Sequence, residues 1–83
     1  VSTAPEPLLV DARGLRCPAP VIALARAARD AADGTTVVVL ATDPAARHDV
    51  PAWARMRGHA MGTTEQDEDG VLRLTVLLSS GAP

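Results

Sequence analysis

The chain has 83 residues, 47% of them hydrophobic, with eight positive and ten negative side-chain charges for a net charge of −2. That length builds one compact domain and excludes two, with a thin core that buries roughly 60–65% of the unfolded chain's surface. The acidic balance and a single aromatic residue, Trp53, argue against unassisted RNA or DNA binding, which draws its affinity from phosphate neutralisation and ring stacking.

Residues 1–7 carry two prolines and small polar side chains and are expected to form a loose tail. They have neither a basic nor an apolar run, so they do not read as a signal peptide. Leu8-Leu9-Val10-Asp11-Ala12 reads as a short strand, followed by a tight connection, Arg13-Gly14-Leu15-Arg16, in which Gly14 can take a positive φ. A helix is expected next. Pro18 suits its first position and Pro20 its first turn, where no helical hydrogen bond is lost. Val21, Leu24, Ala25, Ala28 and Ala32 form its apolar stripe, and Gly34 is placed to end it.

Residues 36–42 (TVVVLAT) are β-branched enough for a buried strand, broken by Asp43-Pro44. Asp49 is a reasonable N-cap for a short second helix holding Val50, Trp53 and Ala54, closed by Gly58. His59 to Gln66 is a weak strand, residues 67–70 (DEDG) a hairpin turn, and residues 71–78 a strand with Leu72, Leu74, Val76 and Leu78 on one face. Residues 79–83 read as a second tail, leaving the domain at 8–78. The order β-α-β-α-β-β, with too few helices to cover two faces, predicts a two-layer α/β sandwich: a four-stranded mixed sheet with both helices on one side.

Cys17 is the sole cysteine, so no internal disulfide is possible and a reducing compartment is the natural setting; cytoplasmic is the expectation. No run approaches the roughly 18 apolar residues of a membrane span. Cys17 precedes the first helical turn, where free N–H groups and the helix dipole favour an anion. With Arg13 and Arg16 nearby, the expectation is a lowered thiol pKa and a reactive thiolate. The competing reading is an inert, buried cysteine acting as a small hydrophobe. Physics alone leaves the two balanced.

The run Asp11 to Pro20 (DARGLRCPAP) resembles the signature of TusA/SirA-type sulfur carriers, whose hallmark is Cys-Pro-x-Pro at the start of the first helix. A second block, Thr42-Asp43-Pro44 with Asp49-Val50-Pro51-Ala52-Trp53, is similar to that family's Asp-Pro…Asp-Ile-Pro-x-Phe segment. The resemblance implies that Cys17 accepts a sulfur atom as a persulfide and yields it to an acceptor thiol. Arg13, Gly14, Arg16, Pro18, Pro20, Asp11, Asp43 and Asp49 would be supporting residues. It also implies a protein donor (a cysteine desulfurase or a rhodanese-like protein) and an acceptor relay protein. The end points would be tRNA thiolation, molybdenum cofactor or sulfur metabolism, with no cofactor, no direct nucleic acid and no membrane. The chain departs from the pattern at Ala54, where some relatives carry a second cysteine, and at His48, where relatives often have Arg.

Other side chains have plainer readings. Asp11, Asp43 and Asp49 read first as turn and cap residues, and Trp53 as a core anchor. The acidic run 67–69 reads as a solvated turn. His48 and His59 share no metal-ligand spacing with Cys17, so no metal site is expected. A non-catalytic regulatory or adaptor module is the alternative function.

Overall fold

The structure is a computed structural model and describes residues 6–79. Most of the two expected tails, residues 1–5 and 80–83, lies outside the described residues. The elements are β1 (Leu8–Ala12), α1 (Ala19–Arg29), β2 (Thr36–Ala41), α2 (Ala46–Arg57), β3 (Ala60–Gln66) and β4 (Leu72–Leu77). The sheet order is β1-β2-β4-β3, with β1 parallel to β2 and the other two pairs antiparallel. The mixed four-stranded sheet and its two helices are those the sequence predicts.

Strand pleating divides the sheet into two unequal faces. Val37, Val39 and Ala41 of β2 and Leu72, Leu74 and Val76 of β4 are sealed, as are Leu24 of α1 and Val50 and Ala54 of α2, and together they form one aliphatic core. The opposite face keeps Leu9 at 58% and Leu77 at 44% exposure, so water reaches one side of the sheet. Trp53 is half-buried against the core, 5.1 Å from the His59 ring. Its indole N–H is buried with no acceptor among the described residues. The weak alternation of β3 has a local cause. Its register against β4 shifts between Met61 and Thr64, and Gly62 lies so close to Thr75 that a Cβ there would sit 3.2 Å from the Thr75 methyl.

Helix boundaries differ from the expectation at three points. First, α1 begins at Ala19, not Pro18; Pro18 is its N-cap residue, and Pro20 fills the second helical position. Second, α1 stops at Arg29 and does not run to Gly34. The N–H of Gly34 donates to the Leu78 carbonyl at 2.9 Å, and that of Leu78 donates to the Thr35 carbonyl at 2.9 Å. This tie to the end of β4 takes the segment away from the helix axis. Third, α2 begins at Ala46, three residues before Asp49. Asp43 starts the turn instead, since its Oδ1 accepts the Ala45 N–H at 3.0 Å and its carbonyl accepts the Ala46 N–H at 3.0 Å. Asp49 is therefore no N-cap; it stands in the first turn of the helix and its carboxylate is free for another task. Gly58 does close α2, with a left-handed φ of 79°.

Candidate functional site: an exposed thiol between two carboxylates

Parallel pairing of β1 and β2 places their carboxyl ends side by side, Ala12 beside Ala41. The loops that follow them are therefore neighbours, the usual position for a site in such an arrangement. One loop carries Cys17, and the other leads through Asp43 into α2. Two hydrogen bonds join the loops, and a third joins the thiol to α2. The Gly14 N–H donates to Thr42 Oγ1 at 2.8 Å, and the Cys17 N–H donates to Asp43 Oδ2 at 2.8 Å. The Cys17 thiol donates to Asp49 Oδ2, also at 2.8 Å. Gly14 makes its turn with φ 81°, a conformation that a side chain would strain.

The thiol is exposed, which removes the reading of an inert core cysteine. Its acidity is opposite to the expectation. Cys17 is raised above an ordinary thiol, first by the hydrogen bond to Asp49, then by desolvation and by the negative charges of Asp49 and Asp43. The physical reason lies in the competition between a helix terminus and a carboxylate. The helix end carries roughly half an elementary charge spread over its first turn, whereas Asp49 brings a full charge into contact with the sulfur. Cys17 also sits two residues before Ala19, outside the helix proper. At neutral pH the resting group is the thiol.

The arginines do not reverse this. Arg13 is committed to Asp11: its Nε and Nη2 donate to the two carboxylate oxygens at 2.8 Å each, and its N–H donates to Oδ1 at 3.2 Å. Asp11 is thereby held down to about 2, chiefly by the side-chain bonds from Arg13. Asp11 is not the turn residue expected: it lies in β1, paired with Leu40, and its carboxylate is locked to Arg13, with no hydrogen bond to Cys17 among the described residues. Arg16 lies nearer the site, where its charge helps lower Asp43; the larger causes are the N–H groups of Ala45 and Cys17. With Gly14, Leu15, Thr42, Asp43 and Pro44, Arg16 lines an open recess of about 260 Å³ beside the thiol loop. Pro18 and Pro20 hold the exit from the loop; the Cys17–Pro18 peptide is cis, and Pro20 is buried.

Of the residues singled out from the sequence, Cys17, Asp43, Asp49, Gly14 and Arg16 converge, while Asp11 and Arg13 pair with each other at the edge. His48 is exposed on α2, and Ala54 is fully buried. Thr42, expected as the last residue of the strand, lies just past the end of β2 and fixes the Gly14 turn through its hydroxyl. No three His, Cys, Asp or Glu side chains among the described residues gather to hold a metal ion.

Fold and site together define a small α/β-sandwich domain that displays one thiol at the carboxyl ends of its parallel strands. Known proteins are similar to it in sequence and in fold. The family model described as "Sulfurtransferase TusA" matches residues 8–77. A sulfur carrier protein TusA of Pseudomonas paraeruginosa is 41% identical over 68 residues, covering 82% of this chain and 85% of that protein. A putative sulfur carrier protein of Archaeoglobus fulgidus is 40% identical over 67 residues, covering 81% and 87%. The crystal structure of a SirA-like protein from Desulfitobacterium hafniense superposes with a TM-score of 0.77 at 27% identity, covering 88% of this chain and 99% of that one. The chain belongs to the sulfurtransferase TusA family.

Proposed function

We propose that this chain is a sulfur carrier that holds a sulfane sulfur as a persulfide on Cys17 and passes it between proteins. The observation that carries the reading is the exposure of the sole thiol, at the end of a loop fixed by Asp43 and Thr42, in a TusA-family chain. Loading is an exchange at sulfur: Cys17 Sγ attacks the terminal sulfur of a donor persulfide, one S–S bond forms as another breaks, and the donor thiol leaves. Unloading is the same step with the acceptor as attacker. A second thiol nearby would expel the stored sulfur; Cys17 has none, and the buried Ala54 supplies none.

The donor is a cysteine desulfurase or a rhodanese-like protein, the acceptor a thiol-bearing relay protein. The sulfur goes on to tRNA thiolation, molybdenum cofactor or sulfur metabolism. A cytoplasmic setting suits an exposed, unpaired thiol. Among the described residues no helix is long and apolar enough to cross a membrane.

The test is to incubate the chain with a cysteine desulfurase and cysteine and weigh it intact. The expected product is one sulfur atom heavier, reverts with reductant, and does not form in Cys17→Ser. A wild-type chain that gains nothing from several desulfurase and rhodanese-like donors would refute the reading.

A further inference from the structure

The two carboxylates pose a chemical problem for sulfur transfer. The attacking species is the thiolate, yet Asp49 and Asp43 hold Cys17 in its protonated form. Attack therefore needs an acceptor for the Sγ proton, and the most direct one is a group already in contact with the thiol. Among the described residues the acceptor hydrogen-bonded to Sγ is Asp49, through Oδ2 at 2.8 Å. That distance permits direct proton transfer. Asp43 does not take that place, because its Oδ2 is engaged by the Cys17 N–H and its Oδ1 by the Ala45 N–H.

We propose that Asp49 is the proton acceptor for Cys17 during sulfur transfer and is thus a catalytic residue of the relay step. Asp49 Oδ2 takes the Sγ proton as Sγ attacks the terminal sulfur of a donor R–S–SH. The new Cys17–S–SH bond forms, the donor S–S bond breaks, and its electron pair leaves on the donor sulfur. Asp49 then returns the proton to that sulfur, giving R–SH. Atoms, charge and oxidation level balance without an outside oxidant or base. The charged groups facing the reacting sulfur are Asp49 from α2 and Asp43 from the loop before it; Arg16 offsets Asp43. Arg13 is held by Asp11. Asp49 stands in the first turn of α2, so its backbone is fixed by the helix while the carboxylate faces the thiol loop.

The proposal rests on Cys17 being the sulfur carrier, and two assays with opposite expected responses separate the two ideas. In the first, iodoacetamide alkylation of the folded chain at pH 7 reads resting thiolate. Asp49→Asn removes the negative charge and the carboxylate acceptor that raise Cys17, so alkylation speeds up. In the second, the chain is loaded from a persulfidated cysteine desulfurase in a single turnover at saturating donor. There Asp49→Asn slows loading by about 100-fold, the lower end of the range for a lost general base. The donor concentration for half-saturation stays within a few fold, and Asp49→Glu recovers most of the rate.

Should Asp49→Asn load as fast as wild type or faster, following its alkylation rate, Asp49 acts only through its charge and the proposal fails. A measurement on wild type alone guards against a misfolded variant. In D2O, transfer of the proton in the rate-limiting step slows loading, whereas an unchanged or faster rate overturns the proposal. A wild type that no donor loads, and whose behaviour Cys17→Ser does not alter, overturns the carrier reading and this inference with it.

Discussion

Leu24 and Ile22 lie two residues apart on α1 and test the packing that carries the thiol loop. Leu24 is fully buried against the sheet, whereas Ile22 keeps 46% of its surface in water. Leu24→Ala removes three carbons from a core with no other way to fill the space. Such truncations cost about 2–5 kcal/mol, through lost transfer energy and the cavity left behind. A domain of this length has a total stability of about 4–12 kcal/mol, so a loss near 3 kcal/mol consumes a large share of it. At about 4–8 °C per kcal/mol for a domain this small, the midpoint falls by about 12–24 °C. Ile22→Ala shortens a side chain that makes little use of the core and gains slightly in helix propensity; the expected change is within about 0.5 kcal/mol. Thermal and urea unfolding followed by far-ultraviolet circular dichroism measures both variants. Equal midpoints for the two, or a Leu24→Ala cost below about 1 kcal/mol, would refute the assignment of α1's buried face.

Two further outcomes follow from local geometry. Gly58→Ala forces a Cβ into the left-handed φ of 79° that ends α2, and costs about 1–2 kcal/mol in the same unfolding assay. Asp11, held down to about 2 from its ordinary 3.8 by Arg13, is a group whose folded pKa is depressed. Its contribution to stability is therefore whole above pH 3.8 and is lost as pH falls through about 2. A carboxyl NMR titration places its midpoint there in wild type, and Arg13→Ala returns it toward 3.8.

The fold was legible from short-range patterns. Alternation in residues 71–78 puts Leu72, Leu74, Val76 and Leu78 on one side, and all four are buried. The β-branched run at 36–41 is a strand, Gly58 ends a helix at a positive φ, and Asp67-Glu68-Asp69-Gly70 turns a hairpin with Gly70 at φ 85°. Backbone conformation at each of these positions is chosen by a residue and its near neighbours, so the sequence contains the answer. Helix ends were less legible. Where α1 stops depends on the bonds that tie Gly34 and Thr35 to Leu78, at the far end of the chain.

Sequence alone also singles out Cys17, because it is the only thiol, follows a glycine turn and precedes two prolines. Its chemical state was a different matter. Proximity in sequence pointed to Arg13 and Arg16 and to an acidic thiol. The folded chain gives Arg13 to Asp11 and brings Asp49, 32 residues away, to the sulfur. Coulomb and hydrogen-bond energies follow distance in space, and the parallel pairing of β1 with β2 sets that distance. Which residue carries the reactive atom was written in the primary structure; which charge governs its proton was decided only when the thiol loop met the start of α2.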